Sequence, residues 1–167
     1  MKKNILILLF AVCFSRIFLS FCFAQTNPEL IGDLNYLLTL DIQLIEECEY
    51  NSDVFDISIP YNKIINEKHR MIDELAGLID SLGAELSDKR FNIQKLKRNY
   101  QALNADANLQ IKIIEIIDAM LLKYGHPKVQ IYLKKAKDQA YLHFMILSNA
   151  AQKIIGENRV EDVLNIR

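Results

Sequence analysis

Residues 60–83 read PYNKIINEKHRMIDELAGLIDSLG, and this stretch decides the fold class. It begins with proline, which is tolerated in the first turn of a helix, and it ends with glycine, which favours the left-handed backbone of a helix end. Between them, apolar side chains recur at three- and four-residue steps in two adjacent stripes. The stripes are Ile64, Met71, Leu75, Leu78 and Leu82, and Ile65, His69, Ile72, Ala76 and Ile79. The stretch therefore predicts a long amphipathic helix with a broad buried face.

The same start and stop signals recur along the chain. Pro28 and Pro127 precede further periodic runs, while Gly125 and Gly156 follow such runs where a left-handed cap is expected. The pattern predicts long helices from Pro28 to the low fifties and over about 60–82, 106–124 and 127–155, with a shorter basic helix over about 91–103. Four long amphipathic helices predict an all-α, antiparallel four-helix bundle, with the short extra helix between its second and third main helices. We expect the bundle to cover residues 25–156 and residues 157–167 to form a C-terminal tail.

The first 24 residues have the pattern of a targeting segment. Lys2 and Lys3 precede an apolar run over residues 5–23, and residues 22–24 fit a small-x-small cleavage site. The pattern predicts a signal peptide that is cleaved after Ala24, and hence export to the periplasm, the cell envelope or the medium. Lipidation of Cys22 and retention of the segment as an anchor are the two alternatives. Contact with a membrane is expected only through this leader or through a lipid on Cys22.

The amino-acid composition argues against several classes of function. The formal net charge is −1, so the chain lacks the positive field of a nucleic-acid-binding protein. Cys13 and Cys22 lie in the leader, which leaves Cys48 without an internal disulfide partner. We expect Cys48 to be a buried, inert thiol, because no basic residue adjoins it in sequence. There is no phosphate-binding loop, nucleophile elbow or zinc-protease motif. The sequence indicates neither a protein partner nor an oligomeric state.

The most informative chemical pattern is a set of histidines and carboxylates on different predicted helices. His69 and His143 fall on the apolar stripes of the second and fourth helices, and acidic residues occur on the first and third. Carboxylates and imidazoles from facing helices are what a metal site inside a bundle requires. The predicted ligands are Glu47, His69, Glu115, Asp118 and His143. Iron, manganese or zinc suits this donor mixture, and a chain that binds none of them would show much the same pattern.

Helix geometry leaves some of these assignments open. Glu46 and Glu47 are adjacent, so at most one can face inward, and Glu47 shares a side with apolar residues. Asp41 is a rival, since it lies in line with the leucine stripe of the same helix. Glu115 lies nearly opposite the densest apolar face of its helix, which predicts a solvated side chain unless that helix is buried on more than one side. Each histidine could instead be a neutral core residue satisfied by a single partner.

Four short segments resemble one known family. They are EECEYNSDVF (46–55), NEKH (66–69), an Asp-Ala pair at 106–107 that leads to Glu115 and Asp118, and LHF (142–144). Together they resemble the small ferritin-like proteins of unknown function found in bacteria and archaea. The resemblance implies a ferritin-like bundle with Glu47, His69, Glu115 and His143 as ligand positions. The chain departs from the family pattern at Asn66, where a bridging glutamate is expected, and at Cys48 and Ala140. Because asparagine is a neutral and weaker oxygen donor, this change implies impaired binding of two metal ions.

Two functions are therefore expected from sequence. The first is an exported ferritin-like bundle that binds a transition metal through a degenerate carboxylate and histidine site. The second is a non-enzymatic structural or interaction module of the cell envelope that has lost its metal site. The sequence leaves open whether the protein is an enzyme, because oxidase or peroxidase activity would rest on resemblance alone.

Overall fold

A computed structural model describes residues 27–55, 58–86 and 99–164, and these residues form four α-helices. They are α1 (Pro28–Phe55), α2 (Ser58–Ser81), α3 (Asn99–Lys123) and α4 (Pro127–Leu164). The described part of the chain contains no strand, which confirms the all-α fold class. The predicted leader lies outside the described residues. None of the described helices is both long and apolar enough to cross a membrane.

The helices surround one apolar core. α1 packs against α2 and α3, and α4 packs against the same two helices, so α1 and α4 lie diagonally across the bundle. Leucines of α1, isoleucines of α3 and small residues of α4 fill the centre. The fully buried side chains include Leu34, Leu37, Leu44, Ile64, Met71, Leu75, Ile113, Ile117, Ala140 and Leu147. Within each helix these positions are three, four or seven residues apart, which explains why one face of each helix is buried.

Contacts between the ends of α1 and α3 fix how these two helices meet. Near the start of α1, Glu29 and Asp33 accept from Lys123 at the end of α3, at 2.6 Å and 3.1 Å. Tyr124, just beyond α3, donates its hydroxyl to Asp33 at 2.6 Å. Near the other end of α1, the Asn51 side chain donates a hydrogen bond to Asp106, which lies in the early part of α3. These contacts set a residue-by-residue correspondence between the two helices.

The predicted helix starts are largely confirmed. Asn27 caps α1, since its Oδ1 accepts from the backbone N–H of Glu29 at 3.0 Å and satisfies a donor that the first turn leaves free. α4 begins at Pro127, as predicted. α2 begins at Ser58, two residues before the predicted proline start.

Three predicted boundaries were wrong. The separate short helix over 91–103 is not found: residues 99–103 belong to α3, and residues 91–98 lie outside the described residues. α3 therefore begins at Asn99, seven residues before the predicted start at Asp106. α4 continues to Leu164, so Gly156 lies within a helix and does not end it. A glycine lowers helix propensity by only about 1 kcal/mol, which a long packed helix can absorb.

Only Gly83 among the glycines of the described residues has the left-handed backbone that the sequence predicted for three of them, with φ of 72°. Its N–H donates to the carbonyl of Asp80 at 2.8 Å, and the N–H of Ala84 donates to the carbonyl of Ile79 at 3.3 Å. This is the pattern of a helix end closed by a left-handed residue, which satisfies carbonyls that the last turn leaves free.

Gly83→Ala is expected to lower the free energy of unfolding by about 1 kcal/mol, because a Cβ is disfavoured in left-handed backbone. Gly77→Ala is the matched control: Gly77 lies inside α2 with open space around its Cα, so alanine should stabilise the helix by up to about 1 kcal/mol. Urea denaturation followed by circular dichroism would measure both changes. Equal effects of the two substitutions would contradict the assignment of the α2 end.

Candidate functional site

The bundle interior contains two groups of polar side chains. The first, which we call the central cluster, comprises Asp41, Glu67, Lys68 and His143. The second, which we call the acidic cluster, comprises Glu47, Cys48, Asn51, Tyr61 and Asp106. Buried ionisable groups are costly unless they are paired, so both clusters require a physical explanation.

The central cluster contains a buried ion pair between α1 and α2. The Lys68 ammonium donates to Asp41 Oδ1 at 2.5 Å, and the two side chains are only 3% and 2% exposed. Lys68 faces inward because it lies four residues after Ile64 and three before Met71, both of which are buried. The positive charge that neutralises Asp41 therefore comes from a side chain of the protein itself.

His143 is the other buried ionisable residue of this cluster. Its Nε2 lies 2.7 Å from Glu67 Oε2, and the imidazole has no solvent exposure. Burial lowers the pKa of His143 below its ordinary value of 6.5, and the Lys68 charge acts in the same direction, while the contact with Glu67 opposes both. A neutral imidazole would donate from Nε2 to Glu67. Nδ1 would then be a buried acceptor, and it has no hydrogen-bond partner in the described part of the chain.

The acidic cluster is centred on Asp106 of α3. Asp106 Oδ2 accepts from the Tyr61 hydroxyl at 2.7 Å and from Asn51 Nδ2 at 3.0 Å. Burial raises the pKa of Asp106 to about 7, although the two hydrogen bonds favour the ionised form. The charge of the nearby Glu47 carboxyl also raises this pKa. The carboxyl groups of Glu47 on α1 and Asp106 on α3 therefore lie close enough to interact electrostatically.

Cys48 lies beside this pair and is fully buried. Burial, followed by the Asp106 charge, raises the pKa of the Cys48 thiol well above its ordinary value. The thiol therefore stays protonated at neutral pH and is a poor nucleophile and a poor metal ligand. This agrees with the buried, inert thiol predicted from the sequence.

The structure does not bring the five predicted ligands together. His143 is buried, but His69 is exposed and approaches only Glu49, at 3.9 Å. Glu47 is half-buried and accepts from Gln43 at 2.7 Å. Glu115 is exposed, as the helical wheel indicated, and Asp118 forms an ion pair with Lys137. Over residues 27–55, 58–86 and 99–164, no group of three or more His, Cys, Asp or Glu side chains is placed to hold a metal ion.

The inward orientation predicted for His69 was wrong, for a geometric reason. Successive residues of a helix lie about 100° apart, so the buried position of Lys68 turns His69 away from the core. Asp41, which the sequence left open as a rival to Glu47 on α1, is fully buried, whereas Glu47 is only partly buried. The alignment of Asp41 with the leucines of α1 was the sequence feature that indicated its burial.

Two further interior residues were missed by the sequence reasoning. Lysine is seldom fully buried unless it is paired, and the partner of Lys68 lies 27 residues away along the chain, so the local sequence does not predict its burial. Asp106 had been placed at a predicted helix start, where an acidic residue needs no other explanation. The longer α3 puts it in the second turn, and its buried position then becomes unusual.

Comparison with known proteins assigns no family to the chain. It matches no protein-family model, and no curated protein is significantly similar to it.

Proposed function

We propose that this protein is an exported, ferritin-like antiparallel bundle that serves as a non-enzymatic structural or interaction module of the cell envelope. The antiparallel order is supported by contacts that pair the start of α1 with the end of α3, through Glu29 and Lys123, and the end of α1 with the start of α3, through Asn51 and Asp106. The leader predicted over residues 1–24 supports export.

The Lys68–Asp41 pair is the observation that carries this proposal. A transition-metal site in a bundle core needs carboxylates and imidazoles that are free to converge on one ion. In the central cluster Asp41 is already neutralised by an ammonium group, and the imidazole of His143 is already bonded to Glu67. A metal ion would have to displace a cation that is tethered to the chain. The donor set therefore fits a self-contained polar core better than a redox or hydrolytic metal centre.

Such a core has a structural use. A buried charge pair is satisfied in only one register of the two helices that supply it, since a shift of α2 against α1 would leave both charges unpaired. The Asp41–Lys68 and Glu67–His143 contacts together tie α2 to α1 and to α4. We infer that these contacts specify how the four helices align.

Transition-metal binding through the degenerate set of Glu47, His69, Glu115, Asp118 and His143 is the competing function. The arrangement that favours it is the buried imidazole of His143, which lies beside Glu67 with the Asp41 charge nearby. Binding of an iron, manganese or zinc ion beside His143 would require Lys68 to move away.

Elemental analysis of protein purified without a histidine tag tests the two functions. We expect iron, manganese and zinc well below one ion per chain, and no rise in melting temperature when zinc or ferrous iron is added. Near-stoichiometric metal that is lost in His143→Gln would overturn the structural proposal in favour of metal binding, and its loss in His69→Gln as well would make both histidines ligands.

A further inference from the structure

The acidic cluster contains an arrangement that the structural proposal does not explain. Glu47 and Asp106 come from different helices, and Glu47 lies one turn before Asn51, whose side chain donates to Asp106. The charge of the Glu47 carboxyl also raises the pKa of Asp106. Two ionised carboxylates that are close together repel strongly in an interior of low dielectric constant, and either a proton or a cation relieves this repulsion. Glu47 is half-buried, so one side of the pair is accessible from solvent.

Gln110 of α3 is a second feature of this region that the structural proposal does not explain. It is fully buried, and neither its side-chain oxygen nor its side-chain nitrogen has a hydrogen-bond partner within the described ranges. Leaving a buried amide unsatisfied costs roughly 1–3 kcal/mol, so an unpartnered amide in the core points to a bound group.

The helix register places Gln110 at the level of the acid pair. Asn51 of α1 contacts Asp106 of α3, and eighteen residues away in both helices Asp33 contacts Tyr124. The residue four before Asn51 therefore corresponds to the residue four after Asp106, which sets Glu47 opposite Gln110. Gln110 also lies one turn from Asp106 on the same face of α3. Asp106 Oδ1 and Asn51 Oδ1 are likewise buried without partners in the described part of the chain.

We propose that Glu47 and Asp106, with the Gln110 carboxamide oxygen, form a binding site for a hard divalent cation of the calcium type. Carboxylate and carboxamide oxygens are the ligands that Ca²⁺ prefers, and Asn51 Oδ1 is a further candidate donor. Two carboxylates match the charge of one divalent ion, and the protonated Cys48 thiol adds no charge. The hydrogen bonds from Tyr61 and Asn51 hold Asp106 Oδ2 and leave Oδ1 for the ion.

This site is distinct from the central cluster, where Lys68 supplies the positive charge. It would tie α1 to α3 as the Lys68–Asp41 pair ties α1 to α2. Calcium binding at this site would be additional to the structural role proposed above and independent of it. A failure of calcium binding leaves the module intact, whereas a transition metal held by His143 would remove the module proposal without touching the acidic cluster.

Thermal melts of chelator-treated protein at pH 8, with and without 10 mM CaCl₂, test the site. If the affinity lies near the millimolar range of extracellular calcium modules, the melting temperature should rise by at least about 3 °C. NaCl of equal ionic strength should give a smaller shift. Asp106→Asn should abolish the calcium response and Gln110→Met should reduce it by at least half. Glu115→Gln, which removes an exposed acid from the same helix, should leave it unchanged.

An equal shift in NaCl, or a full calcium response in Asp106→Asn, would overturn the proposal. If Asp106→Asn does not fold, Gln110→Met decides, because an apolar side chain of similar length fits the same space. Isothermal titration of the wild type with CaCl₂ and MgCl₂ provides a readout that does not depend on any variant. Absence of measurable heat together with an unmoved melting temperature would also overturn it.

Discussion

Lys68→Met is expected to lower the free energy of unfolding by about 3–5 kcal/mol, which is the typical effect of removing one partner of a buried ion pair. The substitution keeps the length of the side chain and its apolar stem, so little packing is lost. It leaves Asp41 in the core without its cation, and the cost of that uncompensated charge dominates. Urea denaturation at pH 7.5, followed by far-ultraviolet circular dichroism, would measure the change.

Two further variants separate this electrostatic effect from a general loss of lysine. Lys135→Met removes the partner of Glu74 in an ion pair whose side chains are 43% and 37% exposed, so its effect should stay below about 1 kcal/mol. The double variant Asp41→Leu with Lys68→Met should recover most or all of the lost stability, because an apolar pair needs no compensation. If the double variant is as unstable as Lys68→Met alone, the buried charge is not the cause.

His143→Gln is expected to remove an acid-dependent loss of stability of up to about 2 kcal/mol between pH 6.5 and pH 5. Burial lowers the pKa of the folded imidazole below 6.5, so below that pH the unfolded chain binds a proton that the folded chain does not. The contribution of His143 is therefore fully present above about pH 6.5. It is lost as the pH falls, until the pH passes the lowered pKa of the folded state.

The measurement is the difference between wild-type and variant stability at each pH, in calcium-free buffer. Asp41, Glu67 and Lys68 face residue 143 in both proteins, and glutamine keeps an N–H donor for Glu67. Asp106 on α3 is common to both proteins. Its pKa is raised to about 7, so its contribution to stability has the opposite pH dependence and is lost as the pH rises through that value. His69→Gln should keep the wild-type profile, because His69 is exposed. Parallel profiles for the wild type and His143→Gln would contradict a buried neutral imidazole.

The sequence by itself determined the fold class and much of the helix layout. Local physics sets these features: the proline starts at Pro28 and Pro127, the Asn27 cap and the left-handed end at Gly83 depend on residues within one turn of each other. The three- and four-residue spacing of Leu30, Leu34 and Leu37 identified the buried face of α1 in the same way.

Only the tertiary structure decided which polar residues share the interior. A rotation of one position, about 100°, buries Lys68 and exposes His69, and the spacing on α2 alone does not choose between them. The deciding partner, Asp41, lies on another helix. The approach of Glu47 to Asp106 and of Glu67 to His143 likewise depends on how helices align across long separations in sequence. Packing of the whole bundle fixes that alignment, and with it the chemistry of the interior.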